Sequence, residues 1–262
     1  MRKLSPAWLF SVLLLAGCAD LNFYSDEELE PLSAQAYAEA SQQYPEVKSG
    51  PDYEMVQRVA QRITRAADEQ FAWEAKLLKA DDVPNAFCLP NGRIAIYTGI
   101  LPLTQNEDGL AAVMGHEVAH ATKRHGGKRM TQNSIAAGAM SVIDAGLGMA
   151  EMETGTKDIV MGVLGAGVTY GALMPYSREH ESEADIEGIR YAIRAGYDPN
   201  EAPKLWERMA GLGDGGPAFL STHPDPMDRA KTLREKIPQI IEQEKGWQPK
   251  STKSVAPGAV KK

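Results

Sequence analysis

The chain has 262 residues, 43% of them apolar and 24% charged, with a formal net charge of −7. That composition belongs to a folded protein with a substantial core and excludes an intrinsically disordered chain. The acidic balance leaves no footprint for a phosphate backbone, so no nucleic acid is expected as a partner.

Arg2 and Lys3 precede an apolar run from Ala7 to Leu15, which continues as Leu15-Ala16-Gly17-Cys18. The run is too short to span a bilayer as a stable helix and has the layout of a secretory signal. Its ending resembles a bacterial lipobox. That resemblance implies a signal peptide over residues 1–17 and lipidation of Cys18 as the first mature residue. It also implies sorting to the outer membrane, because Ala19 rather than Asp follows the cysteine. A plain cleaved signal with an incidental cysteine is the alternative. A lipidated Cys18 leaves Cys88 without a disulfide partner, a buried free thiol after Phe87.

Residues 18–50 read as an extended N-terminal arm with a short helix from Leu32 to Tyr44, ended by Pro45. Between Pro51 and Gln70, the apolar residues Val56, Val59, Ala60, Ile63, Ala66 and Ala67 recur at helical spacing, so an amphipathic helix is expected. Residues 71–77 partly alternate and read as a strand, and 82–91 read as a loop. Residues 92–99 form a second strand, rich in β-branched and aromatic side chains. Such a strand is either an edge beside the functional site, open to an extended peptide, or an ordinary structural strand.

The run His116-Glu117-Val118-Ala119-His120 follows, within a segment whose apolar body includes Leu110, Val113 and Met114. On a helix, positions i and i+4 share a face, so His116 and His120 can reach one zinc ion. Glu117 can then take a proton from a water at that ion. Thr104 with Glu107 reads as a capping box at the helix start, and Gly126-Gly127 as its stop. His125 near the helix end reads as a complement to the helix dipole. The Ala/Gly/Met-rich stretch 131–174 reads as a helical hairpin near the cleft, with a transmembrane pair as the alternative.

A third ligand is sought in Ser177-Arg178-Glu179-His180-Glu181-Ser182-Glu183-Ala184-Asp185, which opens another helix. Glu181 and Asp185 are i and i+4, so one can bind metal while the other holds a ligand imidazole. Glu179 and Glu183 are rivals for the ligand place, but neither has an Asp four residues on. Residues 198–201 cap a helix bearing Leu205, Trp206 and Met209, and the Gly-rich 211–217 reads as a loop. Then comes Thr222-His223-Pro224, ahead of a helix from Met227 to Lys245 and a disordered tail over 246–262. His223 reads as a residue approaching the metal site, where it stabilises an oxyanion or plugs the open position. Capping the last helix is its competing role.

Together these motifs resemble the gluzincin metallopeptidases of the HtpX, CAAX-prenyl endopeptidase and mitochondrial Oma-type group. The resemblance rests on HExxH at 116–120, Glu181 with Asp185, Asn85-Ala86-Phe87 with Pro90 and Gly92, and Thr222-His223-Pro224 with Arg229. It implies a mainly α chain with a small β-sheet (α+β), zincin-type, with the peptidase domain over residues 51–245. It also implies one Zn2+, with Glu181 as its third ligand beside His116 and His120, and Asp185 behind them. Joined to the lipobox, it implies a periplasmic, lipid-anchored zinc metalloendopeptidase acting on misfolded or unassembled envelope proteins. A chaperone for outer-membrane assembly with little proteolysis, or a structural zinc module, are the readings from other classes.

Overall fold

The computed structural model describes residues 20–134, 176–212 and 218–248. Cys18 with the signal segment, residues 135–174 of the expected hairpin, residues 213–217 of the expected Gly-rich loop, and the tail from 249 lie outside the described residues. The chain is mainly helical with one four-stranded sheet, as expected. Among the described residues no helix is long and apolar enough to cross a membrane.

The first helix, α1 (Asp26–Gln43), starts earlier than expected because Ser25 and Glu28 form a reciprocal capping box. Strand β1 (Glu46–Val47) leads to α2 (Pro51–Ala67), where the expected apolar stripe is buried. Strands β2 (Glu74–Leu78), β3 (Ala86–Leu89) and β4 (Arg93–Tyr97) complete a sheet of order β1-β2-β4-β3. The β2/β4 pair is parallel and the outer pairs are antiparallel.

Strand β3 occupies residues expected to be loop. Asn91 and Gly92 both adopt positive φ and close a tight β3–β4 hairpin, in which Leu89 pairs with Arg93. Of the two readings of residues 92–99, the ordinary structural strand holds. The strand at 92–99 lies inside the sheet, and β3 is the edge beside the site.

Alternation along β4 divides the protein into two cores. Ile94 and Ile96 face α2 and the helices behind it, together with Leu77 and Cys88. Ala95 and Tyr97 face the other way, onto Leu29, Ala36, Tyr37 and Ala40 of α1. The Tyr37 hydroxyl donates to the Ile94 carbonyl at 2.9 Å, so the arm is stitched to the sheet.

Beyond the sheet come a 3-10 turn (Thr98–Ile100), α3 (Leu101–Thr104) and α4 (Glu107–Thr122). The N-cap of α4 is Asn106, accepting from Gly109 N at 2.8 Å, rather than Thr104. Helix α4 also stops before the glycine pair: Lys123 and Arg124 form a turn, with Arg124 at φ 56°. A new helix, α5, covers 125–134 and contains Gly126 and Gly127. The remaining described helices are α6 (Arg178–Arg194), α7 (Glu201–Ala210), α8 (Ala218–Thr222) and α9 (Pro226–Gln243).

Candidate metal centre

Helices α4 and α6 cross almost backbone to backbone. A Cβ on Gly188 would lie 2.8 Å from His116 N, and one on Gly115 2.8 Å from the Gly188 carbonyl oxygen. Only glycine permits that approach on both helices. It brings the acidic first turns of α6 against the histidine face of α4, a role for Gly115 and Gly188 that sequence periodicity did not reveal.

At the crossing, His116, His120, Glu181 and His223 each present a ligand atom within 4.8 Å of the others, and all four are buried. The two imidazole Nε2 atoms are 3.0 Å apart. Glu181 lies 3.5 Å from His116 Nε2 through Oε2 and 3.3 Å from His120 Nε2 through Oε1. His223 Nδ1 lies 3.0 Å from Glu181 Oε1 and 3.1 Å from His116 Nε2, and its Nε2 is 3.3 Å from Glu117 Oε1. The helix-cap reading of His223 fails on geometry: the N-cap of α9 is Asp225, and His223 reaches inward instead. Its ring stacks on Phe219 at 4.4 Å.

Asp185 sits behind the histidines. Its Oδ1 is 3.0 Å from His116 Nδ1, and Arg229 grips both its oxygens, Nε to Oδ2 at 2.8 Å and Nη2 to Oδ1 at 2.6 Å. Arg229 Nη1 is 2.7 Å from Glu181 Oε2, and the guanidinium lies 3.5 Å over the Trp206 ring. Of the two rival carboxylates, Glu179 is exposed at the start of α6, and Glu183 bonds His125 at 3.0 Å. His125 does not serve the helix dipole of α4. It is fully buried, with its Nδ1 3.0 Å from His120 Nδ1. Tyr176, unnoticed in the sequence, stacks on His120 at 4.0 Å with the Arg129 guanidinium on its ring.

Burial raises the Glu117 carboxyl above its ordinary value, against the pull of His223 and His116, and so makes it a stronger base. Its Oε2 accepts from Cys88 N at 3.3 Å, while the buried Oε1 has no hydrogen-bond partner. Burial and Glu117 push the free Cys88 thiol up, so it stays protonated. Burial also works against ionised Glu181, yet His223 and Arg229 hold it far below the usual carboxylate range. His120 is pushed well below its ordinary value by burial, so its ring is neutral at neutral pH. His116 is held at about 9: burial and Arg229 oppose its proton, and Asp185 and Glu181 win.

These groups fit a divalent cation. Glu117, Glu181 and Asp185 outnumber Arg229 and a protonated His116 by one buried negative charge, which the low dielectric makes costly without a compensating cation. Two imidazole nitrogens and a carboxylate that converge within 4.8 Å match the donor set of a catalytic zinc site. The same excess of buried carboxylate charge raises His116 to about 9.

A family model, Peptidase family M48, matches residues 52–237. The chain is 31% identical over 257 residues to the mitochondrial metalloendopeptidase OMA1 of Schizosaccharomyces pombe, covering 88% of this chain and 72% of that protein. It is 36% identical over 171 residues to OMA1 of Arabidopsis thaliana, covering 64% of this chain and 32% of that one. It is 31% identical over 172 residues to the beta-barrel assembly-enhancing protease of Escherichia coli (strain K12), covering 63% of this chain and 34% of that one. The chain thus spans about a third of the length of the latter two. Fold, donor set and matches agree: the chain belongs to peptidase family M48, a family of zinc-dependent metalloendopeptidases.

Proposed function

We propose that this chain hydrolyses peptide bonds in misfolded or unassembled proteins of the bacterial envelope. The convergence of His116, His120 and Glu181 beside the unsatisfied Glu117 Oε1 carries the reading. His116 and His120 through Nε2 and Glu181 through its carboxylate would hold the metal. When bound, zinc supplies a Lewis acid that polarises a carbonyl and lowers the pKa of water toward roughly 7.

The protein's own groups do the rest. Asp185, 3.0 Å from His116 Nδ1, accepts its Nδ1–H and so leaves Nε2 as the nitrogen that would give up its proton to a metal. Glu117 Oε1 takes the proton of the attacking water and delivers it to the leaving amine. The Cys88 amide on edge strand β3 fixes the other Glu117 oxygen, so the base and the edge of the sheet are in register. His223, bonded to Glu181 and 3.3 Å from Glu117, would complete the donor set at rest and keep water from Glu117. It withdraws when a substrate arrives.

Glu117→Gln should keep one zinc per chain and lose cleavage of an unfolded test protein; retained peptidase activity in the zinc-loaded variant would overturn the reading. His223→Ala is expected to raise turnover. A fall of about 10²-fold would instead make His223 an oxyanion donor.

The envelope setting rests on the sequence from Arg2 to Cys18 and on the name of the Escherichia coli relative. Cys18 carries the lipid, and the enzyme works in the periplasm, anchored to the outer membrane. Labelled palmitate in the wild type but not in Cys18→Ser, with new N-termini in envelope proteins that Glu117→Gln lacks, is the expected outcome.

A further inference from the structure

His120 makes its second contact with His125, not with a carboxylate or a backbone carbonyl. In an uninterrupted helix, residues five apart point about 140° away from each other. The turn at Lys123-Arg124, with Arg124 at φ 56°, breaks that geometry and begins α5 at His125. The break folds the His125 ring back so that its Nδ1 is 3.0 Å from His120 Nδ1. Its other nitrogen, Nε2, is 3.0 Å from Glu183 Oε2. Stacking holds both planes: His125 lies on His180 at 4.4 Å and 23°, and His120 on Tyr176 at 4.0 Å and 28°.

The order of donors follows from the carboxylate. Glu183 only accepts, so the proton facing it sits on His125 Nε2. Neutral His125 then offers a lone pair at Nδ1, and His120 must donate its Nδ1–H to it. That leaves the His120 lone pair on Nε2, the atom turned toward Glu181 at 3.3 Å. We propose that Glu183 and His125 form a positioning relay that sets the tautomer and ring orientation of His120 for metal binding. The relay rests on His120 being a zinc ligand.

The two ligand histidines are therefore set from different places. His116 is held by the buried Asp185, clamped by Arg229. His120 is held through a second imidazole by Glu183, whose side chain is 42% exposed and also meets Lys123 at 3.6 Å. Tuning of His120 thus begins at the protein surface.

The test is zinc affinity by chelator competition, read beside the 15N chemical shifts of His120 in the metal-free protein. His125→Phe keeps a ring without nitrogens and should weaken zinc by about 10- to 100-fold, the range for loss of such a partner. Glu183→Leu should weaken zinc several-fold and mix the two His120 tautomers. Glu183→Gln still offers a carbonyl oxygen to His125 Nε2–H and should restore near wild-type values. Glu183 is partly exposed, so its variants remain decisive should His125→Phe fail to fold. Zinc affinity within twofold of wild type in folded His125→Phe, or a pure Nδ1–H His120 in Glu183→Leu, would overturn the relay. A wild type that binds no zinc would instead overturn the site itself.

Discussion

One guanidinium joins several features of the site. Arg229 clamps Asp185 through two nitrogens, faces Glu181 with the third, and sits over the Trp206 ring. Arg229→Met keeps most of the stem but leaves two buried carboxylates without their partner charge. Breaking a buried pair in this way costs about 3–5 kcal/mol. Zinc brings positive charge to the same carboxylates, so the loss should be larger in EDTA than with zinc bound. Paired thermal melts of wild type and Arg229→Met in both conditions check this, and equal losses would count against a shared charge balance. At this scale much was legible. His116, Glu117 and His120 share a helix face by spacing, and Glu181 with Asp185 follow the same rule on α6. Arg229 was visible only as part of a motif, because nothing in its neighbours names a partner 44 residues away. His125 was misread because its role depends on a helix break, and the glycines after it suggested a later stop.

The crossing of α4 and α6 determines whether those residues meet. A methyl group on Gly188 would sit 2.8 Å from His116 N and 2.9 Å from Gly115 C, against backbone that has nowhere to turn. Gly188→Ala should therefore spread the helices, with a stability loss of about 1–3 kcal/mol for overpacking. Zinc affinity should fall further than that loss alone implies, since Glu181 and Asp185 move away with α6. Chelator competition and urea melts on the same variant separate the two effects; an unchanged zinc affinity would place the crossing outside the site's control. Long amphipathic elements such as α2 were legible, since their period alone fixes the buried face. The β3 edge was not, because four residues carry too little alternation, and Pro90 masked the Asn91-Gly92 turn signal. The start of α1 was missed for a different reason: its signal is the Ser25–Glu28 capping box, which begins the helix well ahead of Leu32 and with Pro31 inside it.

Across the whole molecule, α9 holds α6 at both ends. Near the site the link is Arg229 with Asp185 and Glu181. Just past the end of α9, the buried Glu244 takes Arg190 Nη1 at 2.7 Å and Arg194 Nε at 2.6 Å, within a half-buried corner where Arg194 also meets the Trp247 ring. Burial alone would raise the Glu244 carboxyl, but the two guanidiniums outweigh it and hold the group below its ordinary value. A carboxyl depressed on folding stabilises the protein above its unfolded pKa of about 4.3, and that contribution fades as pH falls through the folded value. Glu244→Gln should therefore cost about 1–3 kcal/mol at pH 7, the worth of hydrogen bonds to a charged group. The gap between variant and wild type should stay level from pH 7 down to about 5 and then close with further acidification. Urea unfolding of both proteins at a series of pH values, with zinc absent so that metal loss does not intrude, measures that gap directly. A gap that widened in acid would mean that Glu244 is protonated more readily in the fold than outside it. The α6–α9 link would then be held by packing rather than by charge, and the angle of α6 would no longer depend on the Glu244 clasp.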